Sequence, residues 1–137
     1  MTLNNLAILY QLQTRYEDAE PRYLRALKIR EKAFGPDHPE VAATLNNLAG
    51  LYRKQARDED AEPRYLRALK IEEKAFGPDH PTVASTNYNL ALFYEDLGNI
   101  AKAATFARKA KHIFQQKLGP NHDYTKRSIQ LLGRLQN

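Results

Sequence analysis

Three histidines, His38, His80 and His122, recur at intervals of 42 residues, and a metal centre or a catalytic set is the first chemistry that such a series suggests. An imidazole ligates metals and exchanges protons near neutral pH. The first two stand in identical surroundings, FGPDHP at 34–39 and 76–81, and the third in LGPNHD at 118–123. Equivalent residues of successive helix pairs lie on the order of 20 Å apart, two helix spacings. Shared coordination requires about 2 Å from each ligand to the metal. These histidines are therefore read as capping-loop residues, and His112 stands isolated in a helix. No nucleophile–base–orienter set and no phosphate-cradling glycine loop accompanies them. Cysteine is absent, so disulfides and thiolate metal sites are excluded. The expectation is a protein that is not an enzyme, with no catalytic or metal-binding residues and no cofactor.

A second series is formed by Asn5, Asn47 and Asn89, with Asn4 and Asn46 preceding the first two. Asparagine is a mediocre helix former, so its recurrence in the middle of a helical pattern asks for a reason. Its amide offers both a donor and an acceptor, as an extended backbone does. The structural alternative is an asparagine that satisfies a loop or a neighbouring helix.

The element that repeats these residues is a 42-residue unit: Leu3–Thr44 and Leu45–Thr86 agree at all but eight places, and Asn87–Ser128 follows the same template more loosely. Residues 129–137 begin a partial fourth copy, and residues 1–137 are read as one domain. Repetition at this period signals stacked units, each too small to bury its apolar face alone. In the central copy Val41, Leu45, Leu48, Ala49 and Tyr52 form one face of a first helix, A, over about 39–54. The polar stretch QARDED is turn-like, and Ala61, Tyr65, Ala68, Leu69 and Phe76 mark a second helix, B, ending at Gly77. At the junctions, Gly35 and Gly77 are expected in the left-handed conformation, Asp37, Asp79 and Asn121 as N-caps, and Pro39 and Pro81 in the first turn. Pro21 and Pro63 are first-turn prolines or slight kinks of helix B. Alanines recur where helices must approach (Ala7, Ala49, Ala91; Ala19, Ala61, Ala103; Ala26, Ala68, Ala110), with Leu6, Leu48, Leu90 and Tyr10, Tyr52, Tyr94 between them. The prediction is an all-α right-handed solenoid of three helix pairs plus a terminal helix at about 124–135.

The net charge of +5 does not signal nucleic acid. Residues 3–44 and 45–86 are each charge-neutral, and the excess lies wholly in the third copy and Arg134. A phosphate-tracking surface runs along an array as a stripe. The basic run Lys102, Arg108, Lys109, Lys111 and Lys117 falls on one helix B and reads as a solvated face. The start, MTLNNLAILY, has no basic region and too short an apolar run for a signal peptide or membrane span. No nucleic-acid or membrane partner is expected, and the expected location is cytoplasmic.

The pattern Leu48, Ala49, Tyr52, Ala61, Tyr65, Ala68 resembles the tetratricopeptide repeat. The longer unit, with LNNLA opening helix A and GPDHP at the junction, looks like the kinesin light chain type and its bacterial relatives. Copy three departs from it at Asn87, Tyr88 and Ala107. The resemblance implies a concave groove lined by the A helices, in which the Asn5, Asn47 and Asn89 position grips a peptide backbone. The cationic clamp of the chaperone-tail variety is missing, its places here being Asn4, Ile8, Ser85 and Asn89.

The groove is expected to be lined by Asn4, Asn5, Ile8, Asn46, Asn47, Gly50, Arg53, Lys54, Tyr88, Asn89, Leu92 and Glu95. Gly50 leaves a gap between Ile8 and Leu92, suited to a bulky apolar side chain. Arg53 beside it is placed to pair with a carboxylate, and Glu95 and Asp96 to repel one. The predicted partner is a protein or short linear peptide with a hydrophobic residue beside acidic ones, a character the kinesin light chain resemblance also implies. The rival expectation is a structural unit that self-associates through exposed solenoid ends. Helix A of copy one has no preceding helix to cover it, whereas Lys126, Arg127, Gln130, Arg134 and Gln136 dress the last helix. Self-association through the N-terminal edge, or a place at the C-terminal side of a longer array, is the expectation from that asymmetry.

Overall fold

In the computed structural model the backbone is described for residues 3–136, and side chains for Gln13 and residues 15–136. Among the described residues six α-helices follow one another: α1 (Leu3–Phe34), α2 (Pro39–Lys54), α3 (Asp58–Phe76), α4 (Pro81–Asp96), α5 (Ile100–Leu118) and α6 (Asp123–Leu135). The most extensive packing is within the pairs α2–α3 and α4–α5. Lesser interfaces join α1 to α2, α3 to α4 and α5 to α6. The result is an all-α helical repeat. The buried face of α2 is the one the periodicity names, with Val41, Leu45, Leu48, Ala49 and Tyr52 all at most 2% exposed.

The junctions are built differently from expectation. Gly77 (φ 89°, ψ 159°) and Gly119 (φ 90°, ψ 163°) end their helices in extended backbone of positive φ rather than in the left-handed helical region. That region is open essentially to glycine alone. The N-caps are not Asp37, Asp79 and Asn121 but the histidines one residue later. Nδ1 of His38, His80 and His122 accepts from the backbone N–H of Glu40 (3.0 Å), Thr82 (3.0 Å) and Tyr124 (3.1 Å). An aromatic neighbour fixes the ring: His38 stacks on Phe34 at 4.5 Å and His80 on Phe76 at 4.6 Å. This also explains why Phe76, placed by its spacing on the core face, is 42% exposed. Pro39 and Pro81 occupy the first turn as expected, but Pro63 lies inside α3 and Pro21 inside α1.

The expected first pair is a single helix. Folding A back on B takes a tight turn whose middle residue has positive φ: Ala56 (57°) between α2 and α3, and Gly98 (78°) between α4 and α5. The equivalent in copy one is Thr14. A β-branched residue is strongly disfavoured at positive φ, and α1 runs helically through it. The predicted three helix pairs are therefore two pairs, a long leading helix and the terminal helix.

Polar ties cross between successive repeats. Tyr52 on α2 donates to Glu20 on α1 (3.0 Å), and Tyr94 on α4 donates to Glu62 on α3 (2.7 Å). Burial, followed by the Glu62 carboxylate, pushes the Tyr94 hydroxyl up to about 12. Deeper in, Asn46 on α2 donates to the Thr86 hydroxyl on α4 (2.9 Å), which itself donates to Glu72 on α3. Glu72 is only 3% exposed. Burial raises its pKa, against the opposing pull of the bonds from Thr86 and Asn46.

Two consequences can be measured. A Cβ at Gly77 would meet no heavy atom within 4 Å, so Gly77→Ala reports conformation alone; it should cost about 1–3 kcal/mol in urea unfolding, while Ala56→Gly should cost far less or stabilise. For Glu72, the folded pKa lies above the unfolded one. Its contribution to stability is therefore lost as pH rises through the folded value. Glu72→Gln should raise stability at neutral pH, because burial disfavours the charged carboxylate. That gain should shrink as pH falls toward the ordinary carboxylate range. Thermal melts of both proteins between pH 4 and pH 8 check the sign.

Candidate functional site

The first helices of successive pairs, α2 and α4, together with α6, present the side chains that the sequence singles out. They do not form one site. The side chains of Asn4, Asn5 and Ile8 lie outside the described residues, and the rest divide into a ladder of ion pairs and two clefts.

The ladder runs across the ends of the three helices. Arg53 on α2 reaches both carboxylate oxygens of Asp96 on α4, the longer contact being 3.3 Å. Glu95 on α4 receives two bonds of 2.8 Å from Arg134 on α6. The hydrogen bond from Arg134 holds the Glu95 carboxyl below its ordinary range, and the bond that Arg53 donates to Asp96 raises the Arg53 guanidinium. The charges expected to read a ligand thus pair with one another between repeats. A ligand carboxylate at Arg53 has to compete with Asp96.

The first cleft, about 380 Å³, lies between α1 and α2. It is lined by Asn46, Asn47, Gly50 and Lys54 from α2, facing Tyr16, Ala19 and Tyr23 of α1. The Asn46 amide nitrogen is committed to Thr86, which makes this residue a tie between helices. Asn47 and Lys54 are exposed, and among the described residues the Asn47 amide has no hydrogen-bond partner. A Cβ at Gly50 would meet the Tyr65 hydroxyl at 3.8 Å, an ordinary van der Waals contact. Tyr65 itself is a core residue, 2% exposed, and burial raises its hydroxyl pKa.

The second cleft, about 230 Å³, lies between α4, the end of α5 and the start of α6. Its lining is Ser85, Tyr88, Asn89, Phe114, Tyr124 and Arg127. Tyr124 tilts against Phe114 with centroids 5.5 Å apart, and the Arg127 guanidinium lies over the Tyr124 ring at 5.9 Å. Among the described residues Arg127 has no ion-pair partner and the Asn89 amide no hydrogen bond. The site therefore combines aromatic walls, an open amide and an uncommitted guanidinium. Sequence reasoning named Tyr88 and Asn89, treated Arg127 only as surface of the last helix and did not single out Tyr124. The available signal was periodicity, since Arg127 falls 42 residues after the groove-facing Ser85.

Leu92 is half-buried against the main core. The three histidines are spent on their caps, one at each junction. Among the described residues no cluster of three or more His, Asp or Glu side chains could hold a metal ion, and no helix is long and apolar enough to cross a membrane.

Comparison with known proteins agrees with this architecture. The tetratricopeptide repeat family matches residues 1–74, 54–110 and 82–137. The crystal structure of BtubC (BKLC) from P. vanneervenii superposes with a TM-score of 0.82 at 28% identity, over 95% of this chain and 52% of that one. A Podosopora anserina protein described by its nearly identical kinesin light chain TPR-like repeats gives a TM-score of 0.81 at 22% identity, over 96% of this chain and 62% of that one. A variant of that protein matches equally well. The chain thus spans about half the length of the first and under two thirds of the second. Repeats of this kind generally serve as scaffolds for protein–protein interaction. With a family match that spans it from end to end and neighbours of the kinesin light chain type, the chain belongs to the tetratricopeptide repeat family.

Proposed function

We propose that this chain is a non-catalytic binding module that holds an extended segment of a partner protein along the face shared by α2, α4 and α6. The observation that carries the reading is the cleft around Asn89. An amide and a guanidinium that have no hydrogen-bond or ion-pair partner among the described residues, together with three aromatic rings, converge on about 230 Å³ of open space. Such a site has a place for a peptide bond, a bulky apolar side chain and a carboxylate. The amide matches the donor and acceptor of an extended backbone, and the planar guanidinium favours a bidentate carboxylate.

The equivalent position Asn47 lies one repeat away, in the first cleft. Leu92 lies on α4, half-buried against the main core. Arg53, Asp96, Glu95 and Arg134 then form a charged border whose net charge is zero. This border resists a partner carrying long runs of one sign and leaves Arg127 in the second cleft as a cation open to acidic residues. The ligand class is a short linear segment with a large hydrophobic residue flanked by Asp or Glu.

The test uses fluorescence polarisation with peptides that carry one central Trp, Phe or Leu and either acidic or basic flanks. Acidic flanks should bind more tightly, with the preference reduced by salt. Asn89→Ala should weaken binding by roughly 0.5–1.5 kcal/mol for each hydrogen bond lost, with the melting temperature nearly unchanged. Arg127→Glu should remove or invert the flank preference, whereas Arg108→Glu, on an exposed face of α5, should not. Equal binding of both peptide sets by every variant would remove the reading of this cleft as a ligand site.

A further inference from the structure

The same side chains are buried to different depths in α1 and α3, and the difference locates a missing neighbour. Ala61 and Ala68 are fully buried and Tyr65 is 2% exposed, because α2 lies against them. Their equivalents on α1, Ala19, Ala26 and Tyr23, are only half-buried. The absent neighbour is the first helix of their own repeat, since residues 3–13 continue along α1 instead of folding back. The space left is the cleft of about 380 Å³ between the second half of α1 and α2.

We propose that this cleft is filled by residues 3–13 of a second copy of the chain, each copy inserting the first half of its α1 beside the second half of the other's. The occupant is indicated by its sequence. LNNLAILYQLQ at 3–13 differs at only three positions from LNNLAGLYRKQ at 45–55, the segment that covers the same face of α3. Within one chain this segment reaches its own cleft only through a turn that places Thr14 at positive φ, where the other copies have Ala56 and Gly98. A straight α1 relieves that strain and carries the segment outward. The dimensions permit reciprocity. Position 50 meets Tyr65 across the closed α2–α3 pair, and the copy-one equivalents are positions 8 and 23. These lie symmetrically about the Arg15–Tyr16 bond, so two antiparallel α1 helices crossing there bring each position 8 beside the other copy's position 23. The exchange restores to both chains the A-on-B pairing that α2–α3 and α4–α5 already have. It leaves the cleft between α4 and α6 at the opposite end of the array untouched.

The experiment combines light scattering with crosslinking of the full chain, which contains no cysteine of its own. The wild-type chain should have twice the 15.7 kDa monomer mass. In the variant with Ile8→Cys and Tyr23→Cys, a short bismaleimide should link two chains, because the two positions are about 22 Å apart along one straight helix, beyond its reach. Adding Thr14→Gly should close the hairpin, shifting the mass to monomer and the crosslink to within one chain. A monomeric wild type, an intrachain crosslink without Thr14→Gly, or a dimer that neither crosslinks nor responds to Thr14→Gly would overturn the exchange. Peptide binding at Asn89 is read separately and stands or falls independently of these outcomes.

Discussion

The structure depends on one backbone requirement, a single residue of positive φ between the two helices of each repeat. Helices of 16–19 residues with alanine-rich faces gain little from propensity alone and owe their stability to the neighbour that covers them. The turn is what delivers that neighbour. Where glycine occupies it, at Gly98, the pair α4–α5 closes without strain. Ala56 closes α2–α3 at a modest conformational cost that the buried interface offsets, since Leu48, Ala49, Ala61 and Tyr65 are all withdrawn from water. Thr14 tips the balance the other way, and the helix continues. At this one position the backbone either turns and closes a hairpin or continues as a rod.

Once pairs are closed, stacking is set by bonds of two kinds with different energetic weight. The Arg53–Asp96 and Glu95–Arg134 pairs are partly exposed, and such pairs contribute on the order of 0–1 kcal/mol each. Their value lies in register, because each spans from one repeat to the next and fits only one alignment. The Asn46–Thr86–Glu72 chain is buried and carries more risk. A carboxylate withdrawn from water, with the Thr86 hydroxyl donating to it, is held at a raised pKa by burial, and the Asn46 carbonyl oxygen finds no partner among the described residues. Repeat one solves the same joint differently, with Arg30 donating to Thr44 at 2.6 Å, and repeat three replaces the charge by buried Phe114. Three chemistries therefore serve one position, so the joint tolerates polarity rather than requiring it.

Much of this was legible in the sequence because apolar periodicity and exact repetition constrain the same residues twice. The bounds of α2, the buried tyrosines, the placement of the histidines in loops and the terminal helix all follow from spacing. What spacing could not convey was competition between near-equivalent donors and acceptors. Aspartate outranks histidine as an N-cap in general, but the ring of Phe34 or Phe76 beside the loop favours an imidazole that can stack and accept at once. Nor could it convey that Arg53, which reads as a ligand-facing cation when its repeat is considered alone, lies within reach of Asp96 of the next. Thr14 was readable in principle, as a β-branched residue aligned with a glycine, yet the strength of the repeat pattern argued for a closed hairpin there.

The eight differences between the first two copies show where individuality resides. The buried residues Leu48, Ala49, Tyr52, Ala61, Tyr65 and Ala68 of the second copy are unchanged from their equivalents in the first. The differences are at 8/50, 11/53 and 12/54 on helix A, 14/56 and 16/58 at the turn, 30/72 at the inter-repeat joint, and 40/82 and 43/85 near the start of the next helix. Gly50 and Lys54 line the first cleft, Arg53 the ion ladder, and Ser85 the second cleft. Substitutions on such exposed surfaces leave the core untouched and typically change stability by no more than about 0.5 kcal/mol. A solenoid of nearly identical units can therefore present a different surface at each step while keeping one packing solution. The exceptions are positions 14 and 72, which act on closure and stacking. They set which units are available to a partner and how rigidly the open faces are held.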